Sequence, residues 1–256
     1  MSAYGFATVG RMEWIKIRSL RSTWWLLAGS VLAMAAAGIG VGLGYRSHSP
    51  VATSAQIVNN SLSGAVLAQL LIGAFGIITV TNEYSAGMIH ATFAAIPRRG
   101  LVLAAKAVVG AGAMFAVGLV GSVVGFGAGQ VAIRGTAIPP ASLGDPAILR
   151  TVLMTGVYLG LMGLVGVGLG TVIRHTGGAI GALFAGLFVS MVLAGMFGPG
   201  GMPVSRFVPM IMLVNSIAVT APVPGTLSPW AGIAVMAGYA AVAIVAGTVL
   251  LTRRDA

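Results

Sequence analysis

The sequence predicts an all-α membrane protein with six transmembrane helices, and three observations carry that expectation. Of the 256 residues, 57% are apolar and only 7% are charged, against about 25% charged in a soluble globular domain. A chain so poor in charge cannot cover a water-facing surface of its own size. Six runs reach the roughly 20 apolar residues that cross a hydrocarbon core. None of them alternates polar with apolar as barrel strands do. Backbone groups in lipid must be satisfied within their own segment, which leaves helices. The 39 glycines suit close helix packing in a bilayer; in water each would cost an exposed helix about 1 kcal/mol.

The elements follow in order. Residues 1–23 read as a surface-lying elbow. The stretch "GRMEWIKIRSLRSTWW" carries Arg11, Lys16, Arg18 and Arg21 with Glu13, and ends at Trp24 and Trp25. A Trp pair belongs at the headgroup level. Ile17, Leu20 and Trp24 share one helical face, with Arg11 and Arg18 opposite. The first span covers 24–43. Its "AMAAAG" offers small residues for cleavage, but the apolar run is long for a signal-peptide core and is read as a retained span. The second span covers 62–81.

The stretch between the second and third spans, "TNEYSAGMIHATFAAIPRRG", holds Glu83, one of only four acidic residues in the chain. On a single helix over 83–96, Glu83, Gly87, His90 and Ala94 fall on one small or polar stripe. Tyr84, Met88, Ile89, Thr92, Phe93 and Ile96 occupy the other side. Pro97 ends this helix, because a residue before proline disfavours helical geometry. Arg98 and Arg99 then face phosphate headgroups or an acidic partner. Lys106 opens the third span, 107–129, and is expected to snorkel to the surface. The fourth and fifth spans cover 151–173 and 177–197. The run "FVPMIMLVNSIAVTA" is apolar but short, with Pro209 and Asn215 as interruptions, so it reads as re-entrant or interfacial and not as a span. The sixth span covers 229–251, and no soluble domain fits between any of these pieces.

Six spans put both termini on one side. That side carries ten of the 14 basic residues, and the other carries Arg46, Arg134, Arg150 and Arg206. The positive-inside rule makes the basic side cytoplasmic. The net charge of +10 is therefore a membrane feature, with the lipid bilayer as a partner and no nucleic acid.

The predicted spans hold no ionisable residue, although such residues cost about 2.5–3.5 kcal/mol at a helix centre and usually mark function. A proton-coupled secondary carrier needs a buried carboxylate or His relay, so that class is an alternative only. A non-transporting immunity or sensing protein is another. Without cysteine there is no disulfide or thiolate site. Glu83 and His90 are the one acid–histidine pair at helical spacing, too few for a catalytic metal, so no enzyme activity is expected. No G-x-x-x-x-G-K-[ST] loop is present to bind ATP. Gly121, Gly125 and Gly129 stand four apart on the third span and mark a packing face. Pairs such as Gly38/Gly42 and Gly156/Gly160 repeat the spacing. Gln69, Gln130, Tyr158 and Tyr239 either line a pathway or hydrogen-bond between helices.

The whole chain resembles the permease subunit of a type-2 ABC exporter of the actinobacterial kind. The basic stretch "EWIKIRSLRSTWW" carries the resemblance, together with "NEYSAGMIHATFAAIPRRGLVLAAK". There Glu83, Gly87, Thr92, Pro97, Arg98 or Arg99, and Lys106 match the family's order of acid, Gly, Thr-bearing apolar helix, Pro-Arg and Lys. The terminal pair Arg253-Arg254 is also common in that family. The resemblance implies that 83–96 is a coupling helix seated in a groove of a separate ABC ATPase, with Glu83, Gly87, His90 and Thr92 toward it. It implies a unit of two permeases, identical or paralogous, and two ATPases, which hold the ATP and Mg; this chain itself carries no cofactor. It further implies a bacterial cell membrane and re-entrant helices over 198–228 on the outer side, between the fifth and sixth spans. Arg11, Arg18, Arg21, Trp24, Trp25, Arg98, Arg99 and Lys106 anchor the inner surface in this reading.

Overall fold

The computed structural model describes residues 5–19, 21–48, 52–96, 98–196, 205–219 and 225–253, and every regular element among them is helical. The helices are α1 (Phe6–Ser19), α2 (Arg21–His48), α3 (Ser54–Ser61), α4 (Ala65–Ser85), α5 (Met88–Ala95), α6 (Arg99–Ala132), α7 (Pro146–Ile173), α8 (Thr176–Met196), α9 (Pro209–Ser216) and α10 (Pro229–Arg253). Short 3-10 turns at Leu62–Gly64 and Ser205–Phe207 precede α4 and α9. Five stretches are long and apolar enough to cross a membrane: Ser22–Arg46, Ser54–Ser85, Arg99–Ala132, Pro146–Ile173 and Pro229–Arg253. The chain is therefore a multi-pass helical membrane protein. α8 contributes a shorter apolar stretch, Thr176–Val192.

Local chemistry sets the helix ends. Thr53 and Gln56 form a reciprocal capping box at α3, with Thr53 Oγ1 accepting from Gln56 N at 3.3 Å and Gln56 Oε1 accepting from Thr53 N at 3.0 Å. Such a box satisfies two orphan N–H groups at once. Asp145 caps α7 by accepting from Ala147 N at 2.8 Å, and Pro146 takes the first helical position. Pro209, expected to interrupt its segment, instead starts α9, where a missing N–H is harmless. The described part of this run, 207–219, thus holds one eight-residue helix, too short to span.

α7 and α4 form the centre of the bundle, with α2, α6 and α10 more open around them. Bare backbone lets the two central helices touch. A Cβ on Gly76 would strike the Gly163 carbonyl oxygen, and one on Gly166 would strike that of Gly73. The predicted stripe on α6 packs against α2 and α3 in the same way. A Cβ on Gly129 would strike the Ser61 hydroxyl, while one on Gly125 would lie 3.1 Å from Met34 O and one on Gly121 3.4 Å from Met34 Cγ. Gly40 and Gly181 look onto open space.

The observed helices overrun the predicted spans, most at α6. Its 34 residues extend about 51 Å at 1.5 Å per residue, well beyond a core of about 30 Å. Its first two turns, with Lys106 at their end, lie at the bundle's basic end, with Val102, Leu103 and Ala105 buried. There Arg99 Nη1 donates to Leu251 O at 3.0 Å and Arg174 Nη2 to Leu250 O at 3.4 Å. Both guanidiniums thus satisfy carbonyls in the last turn of α10 and complement its dipole.

Candidate functional site

Four charged side chains from three helices meet at the basic end. On α1, Val9, Glu13 and Ile17 recur every four residues and form the buried face with Gly10. This face lies on α6, where a Cβ on Gly10 would sit 3.6 Å from Val109. Val9, Ile96, Val102 and Ala105 form a separate small core there, with Phe93 packed against it. Apolar contact therefore joins α1, the end of α5 and the start of α6. It also holds Glu13 against the last turn of α4 and the second turn of α6.

Lys106 Nζ lies 2.5 Å from Glu13 Oε2 and 2.6 Å from Glu83 Oε1, and it also donates to Thr79 O at 3.1 Å. Lys16 Nζ lies 2.8 Å from Glu13 Oε1 and 2.9 Å from Glu83 Oε1. The side chains of Glu13, Glu83 and Lys106 are 3%, 5% and 6% exposed, and Lys16 is 33% exposed. Two cations and two carboxylates cancel, as burial demands: an ion taken out of water loses several kcal/mol of hydration unless paired. Glu83 Oε2 is also shielded but has no hydrogen-bond partner. A cavity of about 230 Å³ adjoins the cluster, lined among others by Thr23, Asn82 and Met88. Burial, the largest influence on Lys16, pulls its pKa down. The hydrogen bonds to Glu13 and Glu83 and the charges of both carboxylates outweigh burial, so the pKa ends above its ordinary value of 10.5.

Two expectations are corrected here. Lys106 does not snorkel: it is held inward by two carboxylates and a carbonyl. Nor do residues 83–96 form one helix. α4 continues through Glu83 to Ser85, and Gly87 adopts φ 66° at the head of α5. That left-handed geometry suits glycine and breaks the helical register. Glu83 therefore turns into the bundle, off the stripe with Gly87 and Ala94. Gly87 itself is exposed. Thr92 Oγ1 bonds back to Met88 O at 3.1 Å within α5. Met88 is exposed, while Ile89 and Ile96 are buried. His90 lies on α5.

The other predicted surface residues sit as follows. Arg11, Arg18 and Arg98 are exposed. Trp24 is 55% and Trp25 78% exposed, and Trp24 Nε1 donates to Arg18 O at 3.2 Å. The Arg99 guanidinium lies 5.3 Å from the centre of the Phe93 ring. Leu20, Pro97, Arg254 and the stretches 197–204 and 220–224, all part of predicted elements, lie outside the described residues, as do the side chains of Arg21 and His90.

The polar residues considered for a pathway turn out to hold structure at the far end. The Tyr158 hydroxyl, fully buried, lies 2.8 Å from Pro209 O and 3.2 Å from Gln69 Oε1. Gln69 Nε2 reaches Met210 Sδ at 3.4 Å. Tyr239 donates to Phe207 O at 2.9 Å. Gln130 Oε1 accepts from Ala141 N at 2.7 Å.

Sequence reasoning passed over Glu13 and Lys16 as site residues. A signal existed: of the four acids in the chain, Glu13, Glu83 and Asp255 lie on the basic side, and any of them needs a cation if buried. Among the described residues no three His, Cys, Asp or Glu side chains gather as a metal site would require. No protein-family model matches this chain, and no curated protein does.

Proposed function

We propose that this chain is the membrane-spanning subunit of an ATP-driven exporter, of the type-2 ABC class its sequence resembles. It has six spans, with α8 as the fifth, and the basic end faces the cytoplasm. The single observation that carries the reading is the buried charge cluster beside α5. A short surface helix, attached through Gly87, sits against a junction that ties α1, α4 and α6 together.

The mechanism follows from that layout. A separate ATPase grips α5 through its exposed face, which includes Met88. ATP binding draws the α5 helices of two permease copies together. α5 is too short to bend usefully, so the push passes on through two contacts. Ile96 and Phe93 press on Val9 and Val102, and the α4 end carries Glu83. Because Glu83, Lys106, Glu13 and Lys16 are mutually paired and buried, α1 and α6 move with α4 or the pairs must separate in a low-dielectric site. The bundle halves thereby tilt as units and expose the substrate path alternately to each side. α9 and its flanks act as the re-entrant outer closure.

The test is co-purification of the chain with the ATPase encoded beside it. The reading predicts a stable complex whose ATP hydrolysis changes on reconstitution. Met88→Glu, on the exposed face of α5, is expected to weaken the complex by about tenfold, the loss typical of one good interface contact. If the neighbouring frame encodes no ATPase, or Met88→Glu leaves association and hydrolysis as they were, the reading is wrong. Uptake or efflux driven by an ion gradient alone would replace it with a secondary carrier.

A further inference from the structure

Where α10 ends, the protein presents more hydrogen-bond donors than it can satisfy. Arg174 Nε and the Tyr84 hydroxyl are both shielded, and neither has a hydrogen-bond partner. The two groups are neighbours, with the Arg174 guanidinium 5.2 Å from the centre of the Tyr84 ring. A shielded polar atom left unpaired costs about 1–3 kcal/mol, so two together ask for an acceptor that the described residues do not supply.

Among the described residues the charge at this place is one-sided. Arg174 and Arg99 both lie against the last carbonyls of α10, and Arg253 is exposed in its last turn. A helix C-terminus offsets only about half a charge. Among the described acids, Glu13 and Glu83 are committed to Lys16 and Lys106, Asp145 caps α7 at the other end, and none pairs with Arg174. Arg174 also occupies the position after α7 with φ 59°, the one positive-φ residue other than glycine among those described. That position usually belongs to glycine. An arginine that accepts the left-handed geometry suggests that its side chain is wanted there.

We infer that Tyr84 and Arg174 form a seat for the phosphate of an anionic phospholipid in the leaflet at the basic end. The place fits a lipid more than a soluble anion. Arg174 directly follows the span that ends at Ile173, and α10 offers exposed Val245 and Val249 below for the acyl chains. The phosphate's anionic oxygens accept from Arg174 Nε and from the Tyr84 hydroxyl after a rotation of the outer Arg174 torsions. Nothing in this site depends on an ATPase partner.

The experiment is thermal unfolding and native mass spectrometry of the detergent-purified full chain with added phosphatidylglycerol, phosphatidylcholine or glycerol 3-phosphate. Phosphatidylglycerol is expected to bind and stabilise, and the other two to do so far less. Arg174→Gln is expected to weaken phosphatidylglycerol binding about fivefold, the worth of one basic residue at a lipid surface. Tyr84→Phe, which keeps the ring, should weaken it less, and Arg98→Gln, at an exposed arginine outside the seat, should weaken it less than Arg174→Gln does. Equal effects of the two lipids overturn the proposal. So does an effect of glycerol 3-phosphate matching that of phosphatidylglycerol, or a loss in Arg98→Gln as large as in Arg174→Gln. Undiminished binding in both Arg174→Gln and Tyr84→Phe overturns it as well.

Discussion

The two ends of the bundle are held by different chemistry. At the basic end, Glu13, Lys16, Glu83 and Lys106 join α1, α4 and α6 through short ion pairs. At the opposite end, α9 and its flanks are pinned mostly through neutral groups and backbone carbonyls. Arg150 Nη2 donates to Ala218 O at 2.9 Å, Asn59 Oδ1 accepts from Val219 N at 2.8 Å, and Asn215 Nδ2 donates to Leu227 O at 3.0 Å. Tyr158 and Tyr239 reach Pro209 O and Phe207 O. A paired charge junction is strong when complete and costly when broken, because each partner left behind is a buried ion. Dispersed neutral bonds fail one at a time, each worth about 1 kcal/mol. The first arrangement makes helices move together; the second lets one short segment loosen.

The largest effect expected from this contrast is at Lys106. Lys106→Met leaves two buried carboxylates with Lys16 alone, and should destabilise by roughly 3–5 kcal/mol, read as a large drop in the unfolding midpoint in detergent. A drop no larger than that of a pinning residue at the other end would erase the contrast. Tyr158→Phe comes next. It strips Pro209 O of its donor in a fully buried place, for about 1–3 kcal/mol. Protease cutting within α9 should rise in this variant while the basic end stays protected.

Raising the pH sharpens the comparison from the other side. The Lys16 pKa is raised by its carboxylate partners, so its contribution is fully present below about pH 10.5, the ordinary lysine value. It is lost as the pH climbs through the higher folded value. Protection factors in α1, taken relative to the intrinsic base-catalysed exchange rate, should therefore fall above that pH, while those in α9 hold. The effect should be smaller than for Lys106→Met, since Lys16 is one-third exposed and solvent screens it. Tyr239→Phe, at an exposed hydroxyl, should cost least, about 0.5 kcal/mol.

The helices were legible in the sequence because lipid leaves a long apolar run no other choice. The first span was predicted at 24–43 and the helix runs Arg21–His48; the last was predicted at 229–251 and runs Pro229–Arg253. The overruns are polar turns beyond the hydrocarbon, which hydropathy does not report. Residues 83–96 were misread for a different reason. A helical wheel assumes an unbroken axis, and one left-handed glycine at 87 is enough to put Glu83 and Ala94 on separate helices. The charge cluster left only the scarcity of acids as a signal, because its members are far apart in sequence, with Lys106 93 residues from Glu13. Read alone, a lysine near a span's end is expected to reach for water. Only packing shows two carboxylates waiting on the inward side.

A double-mutant cycle on Glu83 and Lys106, read by unfolding in detergent with Glu83→Gln, Lys106→Met and the pair, tests most directly whether buried charge couples α4 to α6. The account predicts strong non-additivity: the double variant should be more stable than the sum of the single losses implies, by about 2 kcal/mol within the usual range for contacting residues. Single losses that add to within about 0.5 kcal/mol would contradict it.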